Sequence, residues 1–370
     1  MDSCQQSTLV APAISLPERT APAPDLATAT PAKVKTHYIP TLDGWRAFSC
    51  LAVVIYHGSP RHANAIVSHG YLGVCFFFAI SGFLITTRLL EEAAVSGGIS
   101  WRRFYVRRVF RILPPAYLYI AVVVLLGLTR DAWDWAGCLL FFRNFVTDAH
   151  NGWYAAHYWS LAVEEQFYLF WPALLILLGF ARARRAALAI TLLVGVWRAL
   201  NNRAHWSANQ GLSNLSYDYI MWGCWWALAL NTAEARARFR RVVSTPVWVG
   251  LAALLVLLLW LEPVGSTSLV AFVIPLLILG TVYNAGAAPG RFLELAPLRW
   301  VGRLSYSLYL WQQLFFVSLV GPPTSAVQRF PLNAVALLAC AAASYYLVEK
   351  PMMRLGHRLA PAAVRPGRGA

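Results

Sequence analysis

Two ionisable residues stand where a plain membrane helix should have none. Arg46 and His57 lie eleven residues apart in an otherwise apolar run, Leu42-Asp-Gly-Trp-Arg-Ala-Phe-Ser-Cys-Leu-Ala-Val-Val-Ile-Tyr-His57. Along a helix that separation is about 16 Å, close to the roughly 15 Å half-thickness of a bilayer's hydrocarbon core. With Arg46 at one headgroup level, His57 falls near the midplane, where an ionisable side chain is costly and by default marks a functional position. A neutral imidazole there offers a general base or a nucleophile. The guanidinium cannot shed its proton, so it must snorkel or hold an anion. Pro60 cannot donate to the carbonyl of Tyr56, so the helix is predicted to loosen one residue before His57. The competing reading is structural: a snorkelling arginine, and a histidine satisfied by a neighbouring carbonyl.

A second constellation is His157-Tyr-Trp-Ser-Leu-Ala-Val-Glu-Glu-Gln-Phe-Tyr-Leu-Phe-Trp-Pro172. At helical spacing His157, Ser160, Glu164 and Tyr168 share one face, while Glu165 turns toward Leu161 and Leu169. Two carboxylates a turn or two inside a span need partners, either for chemistry or in an ion pair between helices. A third is Trp101-Arg-Arg-Phe-Tyr-Val-Arg-Arg-Val-Phe-Arg-Ile-Leu-Pro-Pro115. Arg108 and Arg111 share a face, as do Arg107 and Arg111. Such a cluster suits bidentate capture of phosphate, although membrane topology demands basic loops in any case. Pro114 and Pro115 are predicted to open the next helix. Lesser signals are Ser81-Gly82, the stretch from Leu304 to Gln313, and Val348-Glu-Lys-Pro351, each ordinary by itself in helix packing. The six cysteines are scattered with no Cys-x-x-Cys pair, so neither a metal site nor a disulfide framework is expected.

The elements that must position these residues are membrane helices. The 370 residues are 58% hydrophobic and 13% charged, against about 45–50% and about 25% for a soluble protein. Sixteen tryptophans and sixteen tyrosines suit interfacial belts. The net charge of +15 lies in short loops between apolar runs, so the partner it implies is the lipid bilayer and not nucleic acid. The expected fold is an all-α bundle of ten spans, near 42–59, 71–90, 112–128, 158–178, 186–200, 215–231, 246–262, 267–284, 304–320 and 332–349. A further run, Trp135 to Val146, is too short to cross and is expected to lie in the interface or re-enter. With ten spans and both termini cytoplasmic, 25 of the 31 Lys and Arg fall on the cytoplasmic side. The other six are Arg61, Arg130, Arg143, Arg198, Arg203 and Arg329. Residues 1–36 read as a disordered arm with no cleaved signal peptide, 37–356 as the membrane domain and 357–370 as a cytoplasmic tail.

Together and in this order, the polar residues resemble the acyltransferase 3 family of integral membrane acyl-CoA-dependent O-acyltransferases, over about residues 37–356. The family opens with Leu-Asp-Gly-x-Arg and a histidine eleven residues after the arginine, matched by Asp43, Arg46 and His57. Its second helix carries Ser-Gly-Phe, here Ser81, Gly82 and Phe83, and its Arg-x-x-Arg before a proline corresponds to Arg108, Arg111 and Pro114. Trp-Ser-Leu-x-Val-Glu-x-Gln-Phe-Tyr matches Trp159 through Tyr168 and puts the family's glutamate at Glu164. The later elements fall at 305–311 and 349–351 and include Ser305, Tyr309 and Glu349. The sequence departs from the pattern at Gln312, where the family often has a histidine.

The resemblance implies a donor that enters from the cytoplasm as acyl-CoA, a co-substrate with no permanently bound cofactor beside it. Arg107, Arg108 and Arg111 are expected to hold its phosphates. His57 would be general base or acyl carrier, Glu164 would orient the ring or take the proton, and Arg46 would polarise the thioester or hold a phosphate. Asp43, Ser81, Ser160, Glu165, Tyr168, Ser305, Tyr309 and Glu349 are the expected supporting residues. The acceptor would be a hydroxyl of a glycan, a glycolipid or a small metabolite, and the expected location is the plasma or inner membrane. Some members add a soluble esterase-like domain. This sequence ends about twenty residues after its last expected span, so such a helper is expected to be separate. The rival class is a proton-coupled transporter or a translocator of glycan or lipid. A transporter is often built from two related halves, and nothing in the second half of this sequence echoes Arg46–His57 or Glu164–Glu165.

Overall fold

The computed structural model describes residues 38–59, 65–129, 131–146, 152–204, 216–263 and 265–361. The expected N-terminal arm, Pro60 and most of the expected C-terminal tail lie outside the described residues. Among the described residues every regular element is helical. The main helices are α1 (Pro40–Gly58), α2 (Leu72–Ser96), α3 (Trp101–Leu125), α4 (Ala132–Leu139), α5 (Tyr158–Ala204) and α6 (Tyr217–Ala229). They continue with α7 (Ala233–Val242), α8 (Thr245–Leu261), α9 (Ser266–Tyr283), α10 (Ala296–Phe315), α11 (Leu332–Ser344) and α12 (Lys350–Leu359). A π-helical turn, Tyr345–Glu349, joins the last two.

Each of the ten stretches expected to span coincides with or overlaps one of these helices. Among the described residues four helical segments are long and apolar enough to cross a bilayer: α2, α3, α9, and the continuous run Leu332–Leu359. The count rises to five if α7 and α8, bent by 70°, form one span. The others are short or carry polar residues: α6 has 13 residues, and α1 and α10 hold Asp43 and Arg46, and Gln312 and Gln313. The bundle's outer surface is apolar. Phe170, Leu177, Leu193, Trp260 and Leu347 are 67–78% exposed, a surface that lipid tails cover and that water would not tolerate.

Three local features differ from the sequence expectation. Pro114 and Pro115 do not open a helix; they lie inside the 25-residue α3, which carries the arginines and the next span in one piece. The prolines leave the carbonyls of Phe110 and Arg111 without helical donors. The helix nevertheless continues, and tyrosine hydroxyls from neighbouring helices bond its backbone nearby: Tyr306 donates to the Ile112 carbonyl at 2.8 Å and Tyr158 to that of Ala116 at 2.7 Å. Secondly, α1 stays helical through Gly58, and the Tyr56 carbonyl accepts from the Ser59 N–H at 3.4 Å. The helix therefore ends after His57 instead of loosening before it, and His57 sits in its last turn. Thirdly, α12 runs on to Leu359, so the expected tail begins inside a helix.

Other expectations agree with the structure. Gly179 breaks α5 with φ +71°, a conformation that suits only glycine well, so α5 is two helices with the boundary expected between 178 and 186. The Trp135–Val146 run is the short α4 followed by a 3-10 turn at Arg143–Phe145. Cys50, Cys75, Cys138 and Cys224 are buried, and the thiols of Cys50, Cys138 and Cys224 donate to the carbonyls of Ser305, Ala155 and Gly82.

Small residues set the spacing of the inner helices. At the α2–α6 crossing a Cβ on Gly82 would strike the backbone of Ile220, and one on Gly223 would strike that of Ala79. Helix α1 packs between α2 and α10. Two buried ion pairs tie the periphery: Arg143 Nε to Asp134 at 2.8 Å, and Arg198 to both oxygens of Asp218 at 2.9 and 3.0 Å. Asp218→Asn removes the charge that compensates Arg198, so it should destabilise the bundle by about 3–5 kcal/mol. A clear drop in melting temperature in detergent is expected; an unchanged value would show the pair to be dispensable.

Candidate active site

Nine of the expected polar residues converge on one cavity between α1, α2, α3, α5 and α10, about 780 Å³ with its open mouth. Arg46 from α1, Ser81 from α2, and Arg108 and Arg111 from α3 line it. So do Ser160, Glu164 and Tyr168 from one face of α5, and Ser305, Tyr306 and Tyr309 from α10. Helix α2 also supplies apolar lining, with Val74, Phe77, Phe78 and Ile85. Glu164 is the hub: Ser81 Oγ and Tyr168 Oη both donate to its Oε1. The guanidinium of Arg108 lies over the Tyr168 ring, 5.0 Å from its centroid, and over Phe104 at 5.6 Å. Arg46 pairs loosely with Asp43 at 3.4 Å, and Asp43 also accepts from Tyr38 Oη at 2.5 Å. A single weak partner leaves most of the donors of Arg46 available to an anion in the cavity.

At the other end of α1 lies a second polar layer. His57 is half-buried, with Nδ1 3.1 Å from Gln312 Oε1. Trp153 stands edge-on to the ring at 5.3 Å and anchors itself by donating Nε1–H to the Gln313 carbonyl at 3.1 Å. The next side chain along α10, Gln313, holds His157 through Nδ1. His157 is fully buried and ringed by Tyr119, Tyr158 and Tyr309. Tyr309 connects the two layers. Its hydroxyl meets Ser160 Oγ at 2.6 Å in the cavity and donates to the His157 carbonyl at 3.3 Å.

The structure thus brings Arg46, Ser81, Arg108, Arg111, Ser160, Glu164, Tyr168, Ser305 and Tyr309 around one space. His57 lies outside the cavity lining, beyond the Tyr309 layer. Arg107 faces away, reaching Glu92 at 3.7 Å and the Ala360 carbonyl at 3.3 Å. Glu165 is off the cavity, with one carboxylate oxygen buried and without a hydrogen-bond partner. Glu349 is buried in the π-turn, where it accepts from Ser307 Oγ at 2.9 Å. Asp43 acts one step back, through Arg46. Sequence reasoning did not find Trp153, Gln313 or Tyr306. Gln313 carried a signal, being one of two adjacent amides in an apolar helix; the placement of Trp153 has none in the sequence. Among the described residues no group of three or more His, Cys, Asp and Glu could hold a metal ion.

A family model described as an acyltransferase domain matches residues 39–349. The chain is 28% identical to YrhL of Bacillus subtilis, over 87% of this chain and 56% of that protein. It is 26% identical to the peptidoglycan O-acetyltransferase OatA of Listeria monocytogenes, over 86% of this chain and 56% of that one. It is 27% identical to the O-acetyltransferase OatA of Staphylococcus aureus, over 87% and 58%. The chain spans little more than half the length of these curated relatives. No solved structure matches it.

Proposed function

The chain belongs to the acyltransferase domain family that it matches over residues 39–349, and from that premise we propose that it is a membrane O-acyltransferase. It moves an acyl group, acetyl by preference, from cytoplasmic acyl-CoA to a hydroxyl of a cell-envelope glycan. Peptidoglycan is the acceptor class named for the relative from Listeria monocytogenes. The observation that carries this reading is the cavity itself, where Arg46, Arg108 and Arg111 share a space with Glu164. Three guanidiniums there suit the phosphates and thioester carbonyl of a CoA donor. His57, at the far end of α1, takes the proton of the acceptor hydroxyl or carries the acyl group between donor and acceptor.

The arrangement fits a plasma-membrane protein of ten spans with both termini in the cytoplasm, the membrane domain covering 37–356. The arginine-rich start of α3 then faces the donor and the His57 layer faces the opposite side. Two of the six basic residues assigned to that opposite side, Arg143 and Arg198, are buried ion-pair partners and not loop charges, which sharpens the bias. The defining assay is release of CoA thiol from acetyl-CoA by the purified protein, with and without a glycan acceptor. Acceptor-dependent release with an ester on the glycan is expected; glycan transport without acyl transfer would overturn the reading.

The donor site makes a sharper statement. Arg108→Ala and Arg111→Ala should each raise the KM for acyl-CoA, by removing about 1.5–3 kcal/mol of charged hydrogen bonding, roughly 10- to 150-fold. Arg107→Ala should change it little, because its side chain is engaged with Glu92 and Ala360. A cysteine placed at 108 should resist membrane-impermeant reagents applied to intact cells. Labelling from outside would reverse the topology and with it the donor site.

A further inference from the structure

Gln312 occupies the position at which the sequence departs from the family pattern, and its surroundings give it a task. It is fully buried. Its Oε1 lies 3.1 Å from His57 Nδ1, while its Nε2 is buried with no hydrogen-bond partner among the described residues. A buried, unpaired amide N–H is destabilising, and a native structure that keeps one needs a reason outside stability. A leucine or methionine here would pack without that penalty.

We propose that Gln312 is the positioning residue of His57. An amide oxygen accepts and cannot donate, so contact with Oε1 places the imidazole proton on Nδ1 and leaves Nε2 as a bare lone pair. That is the atom either route requires. In direct transfer, Nε2 takes the acceptor's proton as its oxygen attacks the thioester carbon. The C–S bond then breaks, and the departing CoA sulfur takes the proton back, giving ester and thiol. In the two-step route, Nε2 attacks the thioester carbon and the C–S bond breaks, so CoA leaves as thiolate and an acyl-imidazolium remains with its Nδ1 proton in place. The acceptor oxygen then attacks the acyl carbon, the C–N bond breaks, and the hydroxyl proton passes to the thiolate, giving ester and thiol. The reverse orientation of the amide would put the proton on Nε2 and block both. Trp153, edge-on at 5.3 Å and fixed to the Gln313 carbonyl, limits rotation of the ring about this contact. Gln313 reaches Nδ1 of His157 in the same manner, so the last turns of α10 present two amides to two imidazoles in succession. The inference rests on the catalytic use of His57 in the proposed function.

The test compares wild type, Gln312→Met, Gln312→Glu and His57→Ala, each purified at matched amounts. CoA release with a permissive acceptor and melting temperature are measured on all four. Gln312→Met fills the same space and loses the acceptor; it should cut kcat by about 10- to 100-fold, the size of effect seen when the partner that orients a metal-bound histidine is removed. KM for acyl-CoA should stay within about threefold and the melting temperature should be unchanged or higher. Gln312→Glu keeps an acceptor on Nδ1–H and should restore most of kcat. If Gln312→Met keeps wild-type kcat while His57→Ala is inactive, Gln312 does not position the ring and the inference fails alone. A lower melting temperature with normal kcat assigns Gln312 a structural task and also overturns it. If Gln312→Glu is as slow as Gln312→Met, an acceptor on Nδ1 is not what matters. If His57→Ala itself turns over normally, the proposed use of His57 fails first and takes this inference with it.

Discussion

His57→Ala is expected to abolish most acyl transfer. General-base assistance is worth about 10²–10⁴ in rate, and loss of a covalent carrier would remove more. Membrane insertion should survive, because the substitution takes a polar group out of an apolar helix. Among the described residues the side chain has one hydrogen-bond partner, Gln312, and it sits in the last turn of α1. Its loss should therefore disturb packing little. Turnover and melting temperature of the purified variant separate the two readings: near-normal turnover with lowered stability would leave His57 a structural residue, and the proposed chemistry would have no base.

Glu164→Gln is the second large effect expected, a fall of about 10² or more in turnover with normal accumulation in the membrane. Glu164 receives both the Ser81 and Tyr168 hydroxyls on one oxygen. Tyr168 in turn carries Arg108 on its ring face. Charged acceptors hold such donors more firmly than an amide does, so the neutral isostere should loosen the donor end of the cavity as well as remove a proton acceptor. Glu165→Gln should be much milder, since Glu165 does not line the cavity. Equal losses for both variants, or loss of the protein, would favour a structural ion-pair network over catalysis.

Helical spacing was enough to put Ser160, Glu164 and Tyr168 on one face of α5 and to turn Glu165 away, but His157, expected on the same face, precedes the helix and lies against Gln313 outside the cavity lining. Spacing could not choose within the arginine cluster. Arg107 and Arg108 both pair with Arg111 on paper, and the choice is made by Glu92 and by α12 lying along α3. Local rules also stop α3 at its prolines. The hydroxyls that bond its backbone nearby come from Tyr158 and Tyr306, the latter 194 residues from its acceptor, a distance over which no local pattern reaches. The layer that His57 joins is set by tertiary packing for a related reason. Counting residues from Arg46 gives a separation along α1, but the helix ends of α1 and α10 decide which layer the ring joins.

The close crossing of α2 and α6 has a genetic consequence. Gly82 and Gly223 carry no functional group, yet each lets one helix backbone rest against the other. Gly82 is also the immediate neighbour of Ser81, which donates to Glu164. An added methyl at either glycine must push the helices apart or rotate them, and Ser81 moves with its backbone. A selection for cells that have lost the modification should therefore return alanine at 82 and 223 alongside changes at the arginines and His57. Such alleles would look like active-site lesions while leaving every reactive atom in place.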